Sequence, residues 1–478
     1  MNRKLIIRIV GLILCIEALC LVPPLAVSLI AHGTDTRAFS YSITVCLAAG
    51  ALLAMVKPER TRLQTRDGFV AVALCWIALS LFGALPYYFT GTSYIDAVFE
   101  TVSGLTTTGA SIFSAVEPLE RGILFWRALT QWMGGMGVLV MVLALLPSIG
   151  EGSMNLMKAE SPGPIATKLR PKTNDTARIL YTIYIALTAA QALCLRIAGM
   201  PWYDSITTSF ATISTGGFSV RNTSIASYGS EAIVWIVIVF MFVSAINFSL
   251  LYLSVRGQWR NALRSEELRT YALIILGASV LIAADLLMRG GKSVYAAISE
   301  SVFQVVSLMT TTGFGTADFD LWPHFSRSIL LLVMFVGGCA GSTAGGLKVS
   351  RVIVLFKGLR RELRRILHSR EVRPITLEGR RVDEATVSSV CIFFFGYLVI
   401  LLICSAVVSL DVSDLDASFS AALTAISNVG PGLAELGPTR CFGALSALSK
   451  AVLSLTMLLG RLEILPILVL LSPSVWKK

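Results

Sequence analysis

The chain has 478 residues, of which 55% are hydrophobic and only 14% charged, with a mean hydropathy of +0.74. A soluble domain carries about 25% charged residues, so this composition excludes an ordinary soluble enzyme and points to a polytopic membrane protein. The net charge of +11 would suit nucleic acid if it lay on one soluble face, but its placement follows membrane topology instead.

In chain order, hydrophobic runs of spanning length fall near 5–30, 40–56, 69–90, 122–147, 179–199, 232–255, 271–288, 328–356, 385–410 and 442–472, which predicts ten spans. The first follows Arg3 and Lys4 like a signal peptide. It exceeds the roughly 7–15 apolar residues of such a segment, and Cys20 to Pro24 makes a poor cleavage site, so it reads as a retained span. With a cytoplasmic N-terminus, alternation puts 26 of the 40 lysines and arginines inside and seven outside. That is a strong positive-inside bias, and it predicts that both termini are cytoplasmic. The densest inner cluster is Lys357 to Arg381. Nine cysteines lie mostly in apolar runs without a CxxC pair, and His32, His324 and His368 are scattered. This argues against a zinc site or a disulfide framework, and no catalytic constellation is visible.

Four short polar segments recur: Thr106-Thr107-Thr108-Gly109, Ser214-Thr215-Gly216-Gly217, Thr310-Thr311-Thr312-Gly313 and Ser427-Asn428-Val429-Gly430. Each follows about a dozen residues that read as a half-membrane helix, roughly 18 Å long. All four lie after an outward span and before an inward one, so they share one orientation on the outer side. Their closing glycines are spaced by 108, 96 and 117 residues. Thirteen residues earlier stand Asp96, Asp204, Glu300 and Ala417, the last beside Asp416. An acid at the start of a short helix suits its positive end. With Glu100, these carboxylates could also make the outer mouth negative.

Like-oriented units differ from the inverted repeats of many transporters and can close into a pseudo-fourfold ring. The predicted fold is therefore an all-α integral membrane protein of four span–pore-helix–span repeats plus two N-terminal spans. The divisions are 1–66 for the peripheral spans, then 67–150, 151–258, 259–370 and 371–478 for the repeats.

Small hydroxyl residues beside glycine, in apolar surroundings, let carbonyls turn toward an axis and replace the water around a cation. Ion contact is expected from main-chain oxygens of Thr107, Thr108, Gly109, Thr215, Gly216, Gly217, Thr311, Thr312, Gly313, Asn428, Val429 and Gly430. Helix packing by small residues would not require four such segments in register. The fourth, with Asn428-Val429, departs most. Gly337–Gly346 interrupts the eighth span, where unpaired backbone is tolerable only against protein or a water-filled cavity. No Gly-Lys-Ser/Thr follows, so it is not a phosphate loop; a passive packing kink is one reading of it. Arg461 interrupts the last span at a cost of at least about 2.5–3.5 kcal/mol unless it faces water or a partner. Snorkelling or pairing with Glu463 is the alternative, although residues two apart on a helix project differently. Arg127, Gln131, Asn247 and Lys450 could line the path or cap neighbouring helices; structural satisfaction is the favoured reading.

These four motifs, the Gly337–Gly346 stretch and Gly460-Arg461-Leu462-Glu463 resemble the potassium-translocating subunits of the Trk/Ktr/HKT superfamily, TrkH/TrkG type, over essentially the whole chain. The resemblance implies potassium uptake across a bacterial inner membrane, with potassium as the transported ion and no organic cofactor. It implies that the loop bearing Gly337, Gly338, Gly341, Gly345 and Gly346 gates the pore, and that Arg461 projects into the ion path below the filter. It further implies a homodimer and a cytosolic nucleotide-binding regulatory subunit of TrkA type. That partner would dock on the basic Lys357–Arg381 face, which could also meet anionic membrane lipid. The chain itself has no Rossmann-type fingerprint, and no nucleic-acid partner is expected. The motifs are less uniform than the filter of tetrameric potassium channels. A sodium-permeable or weakly selective channel of the same fold therefore stays open, as does coupling to protons or sodium. A membrane enzyme or anion-coupled transporter would need intramembrane acidic or histidine clusters or inverted repeats. A non-transporting receptor would tolerate loss of the motifs.

Overall fold

In the computed structural model residues 2–58, 64–137, 173–368 and 374–473 are described, and among them the regular structure is helical apart from one two-stranded hairpin. Helix α1 (Arg3–Cys20) is capped by the Asn2 side chain, which accepts the Leu5 N–H. Helix α2 (Val22–Ile30) carries proline in its first turn, where a missing N–H costs nothing. Helix α3 (Thr36–Ala54) returns against α1, and the backbones meet where Gly11 faces Gly50. Small residues at such crossings are how helices pack in lipid.

The first unit comprises α4 (Thr65–Phe82), α5 (Leu85–Phe89), α6 (Tyr94–Leu105) and α7 (Arg121–Gly135). The second comprises α8 (Thr173–Ile197), α9 (Trp202–Ile213) and a pair, α10 (Glu231–Ser244) and α11 (Phe248–Val255), bent by 103°. A short α12 (Trp259–Leu263) leads to the third: α13 (Glu266–Arg289), α14 (Val294–Met309), α15 (His324–Val336) and α16 (Val349–Leu367). Strands β1 (Thr376–Leu377) and β2 (Arg380–Arg381) pair antiparallel, Thr376 opposite Arg381. The fourth unit comprises α17 (Glu384–Val408), α18 (Leu415–Ser427), α19 (Ala447–Arg461) and α20 (Leu465–Leu471).

Contacts between units run in a cycle. Helix α7 packs on α9, α10 on α14, α15 on α18, and α19 back on α6. Each unit thus presents the helix that follows its own short helix to the short helix of the next, and the fourth closes on the first. The short helices α6 and α14 start at serine caps, Ser93 accepting the Asp96 N–H and Ser293 the Ala296 N–H, both at 3.3 Å.

Among the described residues, six helices are long and apolar enough to cross a membrane, seven with the bent pair. The predicted ten spans differ because three apolar runs are not continuous helices. The run at 328–356 breaks between Val336 and Val349, that at 442–472 breaks at Glu463 and Ile464, which have φ of 55° and 67°, and that at 232–255 breaks at Ala245–Asn247. The second half of the predicted 122–147 span, and Lys158, Lys168, Arg170, Lys172, Arg370, Arg373, Lys477 and Lys478, lie outside the described residues. Only 28% of the apolar window of α17 is buried, and Phe395, Leu402 and Ile403 on it are exposed. In water such a surface would be a liability; in a bilayer it faces lipid. The chain is an all-α integral membrane protein.

Candidate functional site

Each short helix ends the same way. Its last turn is followed by a residue in the left-handed region, Thr107, Thr215, Thr311 or Asn428, with φ of 58°, 56°, 58° and 55°. Two residues further on stands a glycine with positive φ, namely Gly109, Gly217, Gly313 or Gly430. A β-branched residue at positive φ is a genuine outlier, costing roughly 1–2 kcal/mol. Three threonines holding it at matched positions mark a strained turn that the surroundings enforce, a pattern that clusters at functional sites. The freed N–H groups fold back: Thr108 N donates to Ser103 O and Thr312 N to Ser307 O, both at 2.8 Å, and Val429 N to Thr424 O at 3.0 Å.

The four turns meet. A Cβ placed on Gly109 would strike the Gly216 carbonyl, one on Gly217 the Thr312 carbonyl, one on Gly313 the Val429 carbonyl, and one on Gly430 the Thr108 carbonyl. The cycle of helix contacts is thus repeated at atomic scale by four glycines, each lying against a carbonyl of the next turn. All twelve residues expected to contact an ion fall in this ring. Gln131 supports one corner, its Nε2 donating to Gly216 O and its Oε1 accepting Phe218 N at 3.0 Å. At the seam between the fourth and first turns, Asn428 Nδ2 donates to Thr108 Oγ1 and Met457 O, both at 3.0 Å.

The segments following the four glycines line a cavity of about 290 Å³. A second, of about 90 Å³, is lined by Asn428, Gly345, Gly346, Lys348, Arg461 and Glu463 among others. The glycine-rich loop is pinned beneath the ring. Gly345 N donates to Thr311 Oγ1 at 2.7 Å and Gly346 N to Ser427 O at 2.9 Å. Thr343 Oγ1 donates to Ile213 O and Ser244 O, at 3.1 Å each. The loop closes on itself, Gly337 packing on Gly345 and Gly346, and Gly341 lies against Asn247. Gly338 sits against Ala245, whose carbonyl accepts Cys339 N at 3.0 Å. Asn247 caps α11 by accepting Ser249 N at 2.8 Å. Arg461 does not pair with Glu463. It donates to Thr343 O of the loop at 3.0 Å and to the Gly134 and Gly135 carbonyls at the end of α7. Glu463 instead pairs with Arg351.

The carboxylates expected at the short-helix starts do not form a free negative mouth. Asp96 pairs with Lys450 at 2.5 Å, Glu100 with Arg127 at 2.7 Å, Asp204 with Arg221 at 3.4 Å, and Asp416 with Arg327 at 3.5 Å; Glu300 pairs with Lys292. Glu300 also lies well inside α14, which begins at Val294. Glu100 and Arg127 are buried, and the pair is joined to Ser111, Ile112 N and Ser219 O. Removing one partner of such a pair leaves the other buried and charged. Arg127→Ala should therefore destabilise the protein by about 3–5 kcal/mol, and the joint change Arg127→Met with Glu100→Leu by much less. Thermal unfolding in detergent reads the difference.

Sequence reading placed the turns, the loop and Arg461. It did not identify Gln131 as a support for the ring or the Arg351–Glu463 pair, for no motif joins residues so far apart.

A sequence model of the TrkH family, described as a cation transport protein, matches residues 36–266 and 273–478. The chain is 37% identical to the Trk system potassium uptake protein TrkH of Halomonas elongata and 38% identical to that of Escherichia coli, covering 100% of each partner in both comparisons. It is 33% identical to the Trk system potassium uptake protein TrkG of Escherichia coli, covering 99% of both chains. Its fold matches the crystal structure of the potassium transporter TrkH from Vibrio parahaemolyticus with a TM-score of 0.89, at 36% identity over 100% of both chains.

Proposed function

Because the chain belongs to the TrkH family of cation transport proteins, we propose that it carries potassium inward across a bacterial inner membrane, through the axis of the four-turn ring. It is a transport protein and not an enzyme. The observation that carries this reading is the ring itself, four strained turns of equivalent backbone with each glycine against a neighbouring carbonyl. Potassium is weakly hydrated, so a ring of carbonyls can offset its dehydration. In this reading main-chain oxygens of the twelve ring residues replace water, residues 67–150, 151–258, 259–370 and 371–478 are the four repeats, and 1–66 are peripheral. The Gly337–Gly346 loop and Arg461 restrict the path below. Both termini lie in the cytoplasm, and the basic Lys357–Arg381 face receives a cytosolic nucleotide-binding subunit. A homodimer is the assembly the family suggests.

The test is growth. In a bacterial host lacking its own potassium uptake, and supplied with a competent regulatory subunit, the protein should restore growth at limiting potassium. Failure despite verified membrane insertion would remove potassium uptake as the function. A second expected result concerns Gly313→Ser. Its φ of 81° disfavours any side chain, and the Cβ would overlap the Val429 carbonyl and stand 2.9 Å from Pro431 Cδ. The ring must widen locally, so the ratio of potassium to sodium permeability should fall toward one. A change in expression level alone would make the position structural.

A further inference from the structure

One carboxylate ties the glycine-rich loop to the start of the helix that follows it. Glu267, in the first turn of α13, is only 7% exposed. Its Oε1 accepts Ala340 N at 2.7 Å and Ser350 N at 3.1 Å. Ala340 is the fourth residue of the loop, and Ser350 is the second residue of α16. The cap position of α16 is Lys348, with φ of 76°, and it makes no side-chain cap bond. Glu267 therefore supplies from another helix the anionic cap that the start of α16 lacks. A helix N-terminus favours negative charge there, and hydrogen bonds from N–H groups to a carboxylate are stronger than neutral ones.

The same turn of α13 is tied to the hairpin. Glu378, in the β1–β2 turn, accepts Ser265 Oγ at 2.7 Å and Glu267 N at 3.0 Å. Ser265 in turn caps α13 by accepting Leu268 N at 3.3 Å. Lys357 of α16 pairs with Glu266 at 2.5 Å and donates to Thr376 O of the hairpin at 2.7 Å. The other contacts to the loop described above come from helix ends beneath the ring and from Arg461. Of these loop contacts, Glu267 is the one that sits beside the Glu378 contact, so a displacement of Glu378 reaches Ala340 through one residue, while Lys357 ties the hairpin separately to α16.

We propose that Glu267 is the positioning residue that holds the loop shut, and that Glu378 is the handle through which an event at the hairpin loosens that hold. The proposal rests on the reading of the loop as a gate. If a protein docked on the basic hairpin draws Glu378 away from Ser265 and the Glu267 N–H, the first turn of α13 loosens. Glu267 then releases Ala340 and Ser350. The coupling requires no contact between the docked partner and the ion path, only an element with two arrangements.

The test uses the full-length protein in liposomes, reading basal potassium flux for the parent, a variant shortened within Gly337–Gly346, E267A, E267Q, E378A and the double variant E267A/E378A. E267A should raise basal flux about tenfold, the shift expected from losing a hydrogen bond to a charged group. E267Q keeps an acceptor oxygen without the charge and should raise flux less. E378A should also raise it, and the double variant should match E267A, since changes acting through one element do not add. Hydrogen exchange at Ala340 and Ser350 should quicken in E267A and E378A, while protection in α14 and α18 stays. If the shortened loop conducts above the parent while folded E267A and E378A conduct like the parent, the clamp is overturned and the gate stands. If the shortened loop also conducts like the parent, the gate reading itself fails. If E267A does not fold, E267Q and E378A carry the test, and parental flux in both overturns the proposal.

Discussion

Shortening the Gly337–Gly346 stretch, with α15 and α16 intact, is expected to raise basal cation flux about ten- to a hundredfold. A closed arrangement that dominates leaves a conducting minority of about 1–10%, and removing the obstruction makes that minority the whole population. The loop's own bonds support this view. It is not slack chain: its N–H groups are committed to Thr311 Oγ1, Ser427 O and the Glu267 carboxylate, and its Thr343 hydroxyl to Ile213 O and Ser244 O. Backbone of this kind at membrane depth persists only where protein or a water-filled cavity satisfies it. Single-channel or flux recordings on a correctly folded shortened variant decide the matter. Unchanged basal open probability would leave the loop a structural kink.

Arg461→Ala is expected to raise flux about tenfold or more, and further than Arg461→Lys. At an effective dielectric of about 20, a unit positive charge roughly 6 Å from a passing cation costs it about 3 kcal/mol; water in the cavity reduces this. The guanidinium also joins Thr343 of the loop to the Gly134 and Gly135 carbonyls. Lysine keeps the charge but not the planar fork of donors, so it can hold one side of this bridge and not both. Alanine removes charge and bridge together. If both variants conduct like the parent at matched protein density, Arg461 is an anchor and the barrier rests on the loop alone.

What could be read from sequence was what residue type must declare. A turn needing positive φ asks for glycine, so Gly109, Gly217, Gly313 and Gly430 announce themselves, and their matched spacing implied the ring. Gly337–Gly346 and Arg461 were legible for a similar reason: each is expensive inside a bilayer and would not persist without cause. Helix continuity was legible at Gly337–Gly346 and not at the other two breaks, because hydropathy measures the surroundings and not the backbone. The bend after Ser244 passes through Ala245, Ile246 and Asn247, with neither glycine nor proline to mark it. Charge pairing was equally hidden. Asp96 and Lys450 are 354 positions apart, so the sequence left the carboxylates of the short helices open between helix capping and a negative mouth and gave no sign of their pairing. Glu267 belongs to none of the sequence motifs, and only the fold reveals that it caps α16.

The measurement that bears most directly on the central claim is flux through the purified protein in liposomes under imposed potassium and sodium gradients, compared between parent and Gly313→Ser. The account predicts potassium flux well above that of empty liposomes, larger than sodium flux in the parent, with the preference reduced in the variant. Cation flux no greater than in empty liposomes with a competent regulatory subunit present, or equal potassium and sodium flux untouched by Gly313→Ser, would contradict it.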